Sequence, residues 1–444
     1  MDLRATRLQL LDFTTIPMRA FHLTWMAFFV CFFAWFAVAP LMPAIRADLG
    51  LTPQQIANIN IAAICVTIVV RMVIGPVCDR YGPRLTYTCL LALGALPVIA
   101  IAFARSYESF LFWRLCIGAI GASFVITQFH TSIMFAPNVV GTANATAAGW
   151  GNAGGGATQA LMPLLFAALL SFGVEHTLGW RIALIVPGVL MLVMAVIYYR
   201  YAKDKPSGNL HDATTKRPGK GWTTFAMAAR DYRVWMLFIA YGACFGVELT
   251  IHNLAAIYYV DRFGLSMTTA GLYVGCFGLL ALFARAFGGL LSDRVARDRG
   301  LDGRAALLFA LILAEGVGLL AFSRMTAPTQ ALAAMLAFGL FTHMACGATY
   351  SLVPFVNRKA LGGVAGIVGA GGNVGAVAAG FLVKGSSSTE LALFILGLIV
   401  LACAACTLAV RFTQEQKADE RRQYYDAVEQ KSAQAQTQAV ADAA

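Results

Sequence analysis

Residues 70–84 read Val-Arg-Met-Val-Ile-Gly-Pro-Val-Cys-Asp-Arg-Tyr-Gly-Pro-Arg, and they place the charged Arg71 near the end of an apolar run that starts around Ile56. A guanidinium group at that depth in a membrane-matched helix is costly, so it normally faces an interior or a wet cavity and has a partner. The residues that follow, Gly75, Asp79 and Arg80, predict a tight turn whose acid and bases can form a charge cluster that a rocking motion would break and remake.

The same pattern returns in the second half of the chain. Its four residues recur at a constant displacement of 214 positions, as Arg285, Gly289, Asp293 and Arg294. The preceding turn keeps the same displacement, because Gly50-Leu51-Thr52 is matched by Gly264-Leu265-Ser266. Two arginines in matching places of two half-chains suggest a pseudo-symmetric anion site between the halves.

The composition is that of an integral membrane protein. The chain is 59% hydrophobic and 12% charged, whereas an average soluble protein has about 25% charged residues. Its long apolar runs mostly reach the length of about 20 residues that a helix needs to cross a bilayer. The net charge of +11 could indicate a nucleic-acid partner, but the basic residues lie mainly in short loops between spans, which indicates the lipid bilayer instead.

The apolar runs predict an all-α membrane protein with twelve transmembrane helices in two pseudo-symmetric six-helix bundles. We predict the spans near residues 21–44, 56–77, 85–104, 109–135, 143–171, 181–200, 234–260, 269–291, 305–323, 330–353, 361–383 and 390–410.

The spans divide the chain into four segments. We predict an N-terminal bundle over residues 1–200, a cytoplasmic linker over 201–233, a C-terminal bundle over 234–412 and a cytoplasmic tail over 413–444. The tail is rich in Gln, Ala and charge, which favours a short helix followed by disorder.

The distribution of basic residues predicts the orientation. With this topology, 24 of the 33 Lys and Arg residues lie on the side of both termini and six lie in the opposite loops, and the other three are inside spans. The positive-inside rule therefore places both termini in the cytoplasm, as expected for a protein of the plasma (inner) membrane. No cleavable signal is evident, because the first span is too long and lacks a small-residue cleavage site.

Two spans combine a glycine-rich face with an asparagine. The fifth reads Gly149-Trp-Gly-Asn-Ala-Gly-Gly-Gly-Ala-Thr-Gln159 and carries Asn152. The eleventh has a similar glycine-rich stretch around Asn373. Glycine at this spacing allows helix backbones to approach closely in lipid. Packing does not explain the paired amides, for which anion binding and structural hydrogen bonding both remain open.

Several other signals do not support an enzyme, a cofactor or a metal. The formal GxGxxG in the fifth span lies inside an apolar helix rather than after a strand, so we reject a dinucleotide site. Cys403 and Cys406 form a CxxC in the last span without a third ligand, which argues against metal. No nucleophile, base and acid come together in the spans.

The motifs together resemble the nitrate/nitrite porter family of the major facilitator superfamily. The glycine-rich stretches around Asn152 and Asn373 look like that family's first and second nitrate signatures, and residues 241–249, Tyr-Gly-Ala-Cys-Phe-Gly-Val-Glu-Leu, are similar to its high-affinity nitrate uptake branch. The resemblance covers roughly residues 20–412. The shorter central loop and tail depart from plant and algal members, which puts an accessory partner in doubt.

The resemblance implies a substrate and a site. In that family, the arginines that match Arg71 and Arg285 clasp nitrate, and asparagine, tyrosine and phenylalanine side chains shape the slot. By position these are Asn152, Tyr241, Phe245 and Phe124.

The chemistry of nitrate suits such a clasp. An arginine fork matches the oxygen edge of a planar anion better than a lysine does and keeps its charge. We expect two arginine charges around one monoanion, so that their repulsion is relieved when the anion binds. The other reading is that each arginine pairs with an acid elsewhere, for which Glu248 and Glu315 are the acids deep in spans.

The expected function is secondary active nitrate transport by alternating access. Because the membrane potential opposes entry of a monoanion, we expect uptake of nitrate, and of nitrite as a possible second substrate, to be coupled to protons. Glu248 and His252 are the candidate proton carriers. We expect the protein to function as a monomer. A nitrate/nitrite antiporter and a non-transporting nitrate sensor are the alternatives.

Overall fold

Twelve helices long and apolar enough to cross a membrane occur among the residues that the computed structural model describes, namely 4–135, 139–209, 221–357, 360–419 and 421–422. We label these spans α1 to α12. They run Ile16–Leu49, Pro53–Gly75, Pro83–Phe103, Tyr107–Met134, Thr142–Ser171, His176–Tyr201, Tyr232–Phe263, Met267–Ala296, Asp298–Phe322, Pro328–Val353, Gly363–Gly385 and Thr389–Leu408. The predicted all-α class and all twelve spans are confirmed.

The repeated turn before the second and eighth spans has the same conformation in both halves. Gly50 and Gly264 end α1 and α7 with left-handed backbone at φ values of 60° and 65°, a conformation that glycine adopts without strain. After Gly50, Thr52 and Gln55 form a capping box that starts α2. In the second half, Ser266 accepts a hydrogen bond from the backbone N–H of Thr269 and starts α8.

Close backbone contacts hold each half together. A Cβ atom on Gly154 of α5 would overlap the backbone of Phe29 in α1, and one on Gly371 of α11 would overlap the backbone of Phe238 in α7. The two halves therefore use glycine in the same way, which is the small-residue contact that lets helices approach in lipid.

The two halves contact each other mainly through α2 with α11 and through α5 with α8. We call the side of the membrane where α1 begins and α12 ends the terminal side, and the opposite side the distal side. At the distal ends of α1 and α7, Arg46 donates two hydrogen bonds of 2.7 Å to the carboxylate of Asp261. Nearby, a Cβ on Gly380 of α11 would press on Ile61 of α2. The halves thus meet closely on the distal side.

The terminal side has room at the glycines of the repeated motifs. A Cβ added to Gly75, Gly289 or Gly366 would meet no atom within 4 Å. The predicted charge cluster is placed only in part: Asp293 accepts a hydrogen bond of 2.6 Å from Arg304 of α9, and Arg294 is exposed. The side chains of Asp79 and Arg80 lie outside the described residues.

The linker and tail are described incompletely. Within the linker, Gly221–Ala229 is helical, and within the tail, residues 414–419 are helical. Residues 210–220 of the linker and residues 423–444, the predicted disordered part of the tail, lie outside the described residues. The division into bundles at 200 and 234 and the cytoplasmic side of the termini stay predictions.

Candidate functional site

Arg71 reaches from the first half to the second. Its side chain is buried, with 5% of its surface exposed. Nε and Nη2 donate to the carbonyl oxygen of Gly121 in α4 at 3.2 and 3.0 Å, and Nη1 donates to that of Gly369 in α11 at 3.1 Å. The hydrogen bonds given for Arg71 in the described chain all go to neutral carbonyl groups, so its charge is solvated by dipoles and not by an acid.

Arg285 is the matching buried arginine of the second half, and it has an acid partner. Its Nη2 donates to Oε2 of Glu248 in α7 at 2.5 Å. With its amide oxygen turned toward the guanidinium, Asn152 of α5 accepts from Nη2 at 2.8 Å, from Nε at 3.0 Å and from Nη1 at 3.1 Å; this is the orientation that satisfies both groups.

The two arginines share one aromatic ring. The guanidinium carbons of Arg71 and Arg285 lie 5.7 and 5.4 Å from the centre of the Phe245 ring, which is within the range of a cation–π interaction. Phe124 lies 5.4 Å from the guanidinium carbon of Arg71, and Tyr241 stacks on Phe245 at 5.1 Å. The residues chosen from the sequence therefore come together in one place, near the middle of α7.

Asn373 takes the place in the second half that Asn152 takes in the first. Its Nδ2 lies 3.4 Å from the carbonyl oxygen of Gly369, the atom that also accepts from Arg71. Its Oδ1 is buried and has no hydrogen-bond partner among the described residues. Each asparagine thus lies beside the arginine of the opposite half.

Glu248 changes the charge expected of this site. The sequence predicts two positive charges there, but Glu248 is fully buried against Arg285. The net charge is therefore close to +1, because the guanidinium within hydrogen-bond distance favours the ionised carboxylate, although burial by itself opposes it. The alternative, in which an acid pairs with each arginine, holds for Arg285 only. Among the described residues, the hydrogen bonds given for Arg71 are with carbonyl groups.

His252 lies close to this group but has different neighbours from those of Glu248. Its ring is 4.8 Å from that of Phe36 and 5.6 Å from that of Phe277, centre to centre. Neither ring nitrogen has a hydrogen-bond partner in the described part of the chain.

Two site residues on α10 were not selected from the sequence. Tyr350 lies edge-on to Tyr241 at 5.1 Å and to Phe124 at 5.8 Å, and its buried hydroxyl has no partner among the residues described. His343 places Nδ1 at 3.4 Å from Glu248 Oε2. The two residues are seven positions apart and so share a helix face, which is the signal that could have found them together.

Comparisons with known proteins agree with this architecture. The family model described as Major Facilitator Superfamily matches residues 24–356. A solved bacterial homologue of the human lysosomal transporter Spinster, in an inward-facing and unoccupied conformation, superposes with a TM-score of 0.68 over 92% of this chain and 99% of that one, at 14% identity, and so supports the fold alone.

Three relatives found by sequence comparison indicate which family within this superfamily the chain resembles. The high affinity nitrate transporter 2.5 of Arabidopsis thaliana is 39% identical over 93% of this chain and 83% of its own length. The nitrate transporter 2.1 of Chlamydomonas reinhardtii is 39% identical over 82% and 68%. The nitrate/nitrite transporter NrtP of Nostoc punctiforme is 28% identical over 87% and 90%.

Twelve spans in two halves around a buried polar centre are the architecture of a membrane transporter rather than an enzyme. The match to the Major Facilitator Superfamily model supports the same class. The chain belongs to the Major Facilitator Superfamily and, within it, to the nitrate/nitrite porter family.

Proposed function

We propose that this protein transports nitrate across the membrane by alternating access, with Arg71 and Arg285 as the clasp. The observation that carries the proposal is that these two arginines, one from each half, lie on the same Phe245 ring. An anion that accepts hydrogen bonds from both arginines would join the halves. Its release would let the halves separate, which is what alternating access requires.

The chemistry of the site favours a small flat monoanion. The net charge of about +1 matches one negative charge, so a bound monoanion leaves the centre neutral. Arginine forks present paired donors in a plane, and the rings of Phe124, Tyr241 and Phe245 suit a flat, weakly hydrated ion better than a tetrahedral one. Asn152 and Asn373 add side-chain amides beside the two arginines. The relatives named as nitrate and nitrate/nitrite transporters support nitrate as the substrate, with nitrite as a further one.

Proton-coupled uptake is the direction and mode we propose. With the positive-inside rule, the terminal side is cytoplasmic, and entry of a monoanion against about 100 mV costs roughly 2.3 kcal/mol. Co-transport of protons removes this cost. Glu248 supports proton coupling because it is a buried acid whose Oε1 has no partner among the described residues; His252 is the second candidate carrier. The protein would work in the plasma (inner) membrane as a monomer.

Flux into proteoliposomes tests this proposal. The reconstituted protein is expected to accumulate labelled nitrate when the lumen is made alkaline. If more than one proton enters with each nitrate, accumulation should increase further when the lumen is also made electrically negative. Uptake that requires nitrite inside and ignores the pH gradient would indicate a nitrate/nitrite antiporter. Nitrate binding without any flux would indicate a sensor.

A further inference from the structure

A buried polar cluster lies behind Arg285 in the second half, centred on Glu248. Its Oε2 accepts the hydrogen bond from Arg285 at 2.5 Å and also lies 3.7 Å from Cys346 Sγ. The ionisable groups around Glu248 come from four helices, and they are His252 on α7, Arg285 on α8, Glu315 on α9, and His343 and Cys346 on α10.

The hydrogen-bond geometry of His343 determines which ring nitrogen carries the hydrogen. Nε2 lies 3.2 Å from the carbonyl oxygen of Phe277 in α8. A carbonyl oxygen can only accept, so Nε2 carries the hydrogen and donates. In the neutral ring, Nδ1 is then an acceptor.

That acceptor faces a second acceptor. Nδ1 of His343 lies 3.4 Å from Oε2 of Glu248, and both atoms are fully buried. Two lone pairs that face each other away from water repel, unless one hydrogen lies between them. The contact is therefore favourable only when one proton is added to the pair formed by ionised Glu248 and neutral His343.

We infer that Glu248 and His343 form the binding site of the co-transported proton. This inference rests on the proposed proton-coupled transport, and it identifies the site at which the proton is held. The proton enters from the distal solution, is shared by the His343 Nδ1 and the Glu248 carboxylate, and leaves to the terminal side; no bond other than these N–H or O–H bonds forms or breaks.

The site explains how the proton and the anion would help each other to bind. Arg285 divides its donors between Glu248 and the central slot. A proton on the pair reduces the negative charge of Glu248, which frees Arg285 for the anion, and a bound anion in turn favours the proton. Because such coupling is reciprocal, the affinity for nitrate should rise as the pH falls, by up to about tenfold per pH unit for one linked proton.

The matched test uses the two buried histidines of this region. H343Q removes the ring nitrogen beside Glu248, and H252Q removes the imidazole of a histidine whose ring lies between Phe36 and Phe277. H343N provides a second substitution at the same position, and nitrate counterflow shows whether each variant is folded.

Three measurements are made on each protein in proteoliposomes or detergent: accumulation driven by an alkaline lumen, KM for nitrate counterflow as a function of pH, and proton uptake when nitrate is added in weak buffer. For H343Q and H343N we expect at least about a tenfold loss of driven accumulation, slower counterflow whose KM no longer follows pH, and no proton uptake. H252Q, which alters the other candidate carrier, should keep nitrate-induced proton uptake and a KM that follows pH, whatever its effect on the rate of counterflow. H176Q, at an exposed histidine that begins α6, should behave as the unaltered protein does.

The outcomes separate the two proposals. Driven accumulation or nitrate-induced proton uptake that survives in both His343 variants, or that is lost in H252Q instead, overturns the assignment of His343. Counterflow without driven accumulation in the unaltered protein overturns proton coupling itself. Absence of nitrate counterflow in the unaltered protein overturns the proposed substrate.

Discussion

At the scale of single residues, the two central arginines differ in their partners although they match in sequence. Arg71 is held by the carbonyl groups of Gly121 and Gly369, whereas Arg285 is held by Glu248 and Asn152. Among the described residues, the hydrogen bonds given for Arg71 thus go to neutral carbonyl groups, whereas Arg285 is shared with an acid. This asymmetry is what makes a link between proton and anion binding possible.

Lysine should not replace either arginine. We expect R71K and R285K to abolish measurable nitrate transport, because the charge is kept but the planar fork is lost; each charged hydrogen bond removed costs about 1.5–3 kcal/mol. Initial rates of labelled nitrate uptake would measure the effect. R324K is the control, since Arg324 is an exposed arginine stacked on Phe394. Near-normal uptake by R71K or R285K would refute the clasp.

The hydroxyl of Tyr350 should contribute modestly to anion binding. It is buried beside Tyr241 and Phe124, and the described residues offer it no hydrogen-bond partner. For Y350F we expect KM for nitrate to rise about two- to tenfold, the equivalent of one ordinary hydrogen bond, with expression and thermal stability unchanged. An unaltered KM would place the hydroxyl outside the path of the anion.

At the scale of the helices, glycine determines how closely the halves approach. A Cβ on Gly156 of α5 would lie 2.5 Å from the backbone of Gly278 and Leu279 in α8. In α4, a turn of 3-10 helix over Gly118–Ala122 contains the Gly121 carbonyl that accepts from Arg71. Small local features of the helices therefore set the position of the charged groups in the slot.

Alanine at position 156 should separate α5 from α8. We expect G156A to lower the free energy of unfolding by about 1–3 kcal/mol, as overpacking does, and to reduce nitrate uptake. The midpoint of thermal unfolding in detergent provides the measurement. G366A is the matched control for stability, because a Cβ there would meet no atom within 4 Å. Equal thermal midpoints for the two variants would show that the contact is not tight.

At the scale of the whole molecule, side-chain hydrogen bonds join the two halves on the distal side. Arg46 and Asp261 join α1 to α7 there. Deeper, the fully buried Arg114 of α4 donates to the Trp35 carbonyl at 2.6 Å and to Asn253 of α7 at 3.0 Å. The contacts of Arg46 with Asp261 and of Arg114 with Asn253 join the two halves, so they must break if the distal side opens during transport.

Loss of the Arg46–Asp261 pair should favour a molecule that is open on the distal side. Both side chains are about a third to a half exposed, so the pair contributes no more than about 1 kcal/mol, and D261N should raise the distal-open population by up to about fivefold. Val383 lies near the distal end of α11 and lines a small cavity between the halves with Asn60 of α2 and Leu254 of α7. Labelling of V383C by a bulky water-soluble maleimide, in a cysteine-depleted background, would therefore report the opening.

The charge swap gives the control for this prediction. R46D combined with D261R should restore the original labelling rate, because the pair is rebuilt with its partners exchanged. Faster labelling that persists in the double variant would indicate that D261N acts through some other contact.

The sequence by itself determined the twelve spans, the internal repeat and most of the central slot. These are local properties: a span is a run of apolar residues of sufficient length, and the repeat preserves the displacement between Arg71 and Arg285. The residues proposed to line the slot, such as Phe245, followed from the resemblance of motifs in single helices to those of the nitrate/nitrite porter family.

Only the tertiary structure decided which groups share a charge or a proton. Arg285 meets Glu248 across 37 positions, Arg71 meets Gly369 across 298, and His343 reaches Glu248 from a helix three spans away. The physical reason is that helix rotation and the depth at which helices cross are set by packing between spans. Hydropathy records that a residue is in the membrane, but not which side chain of another helix it faces.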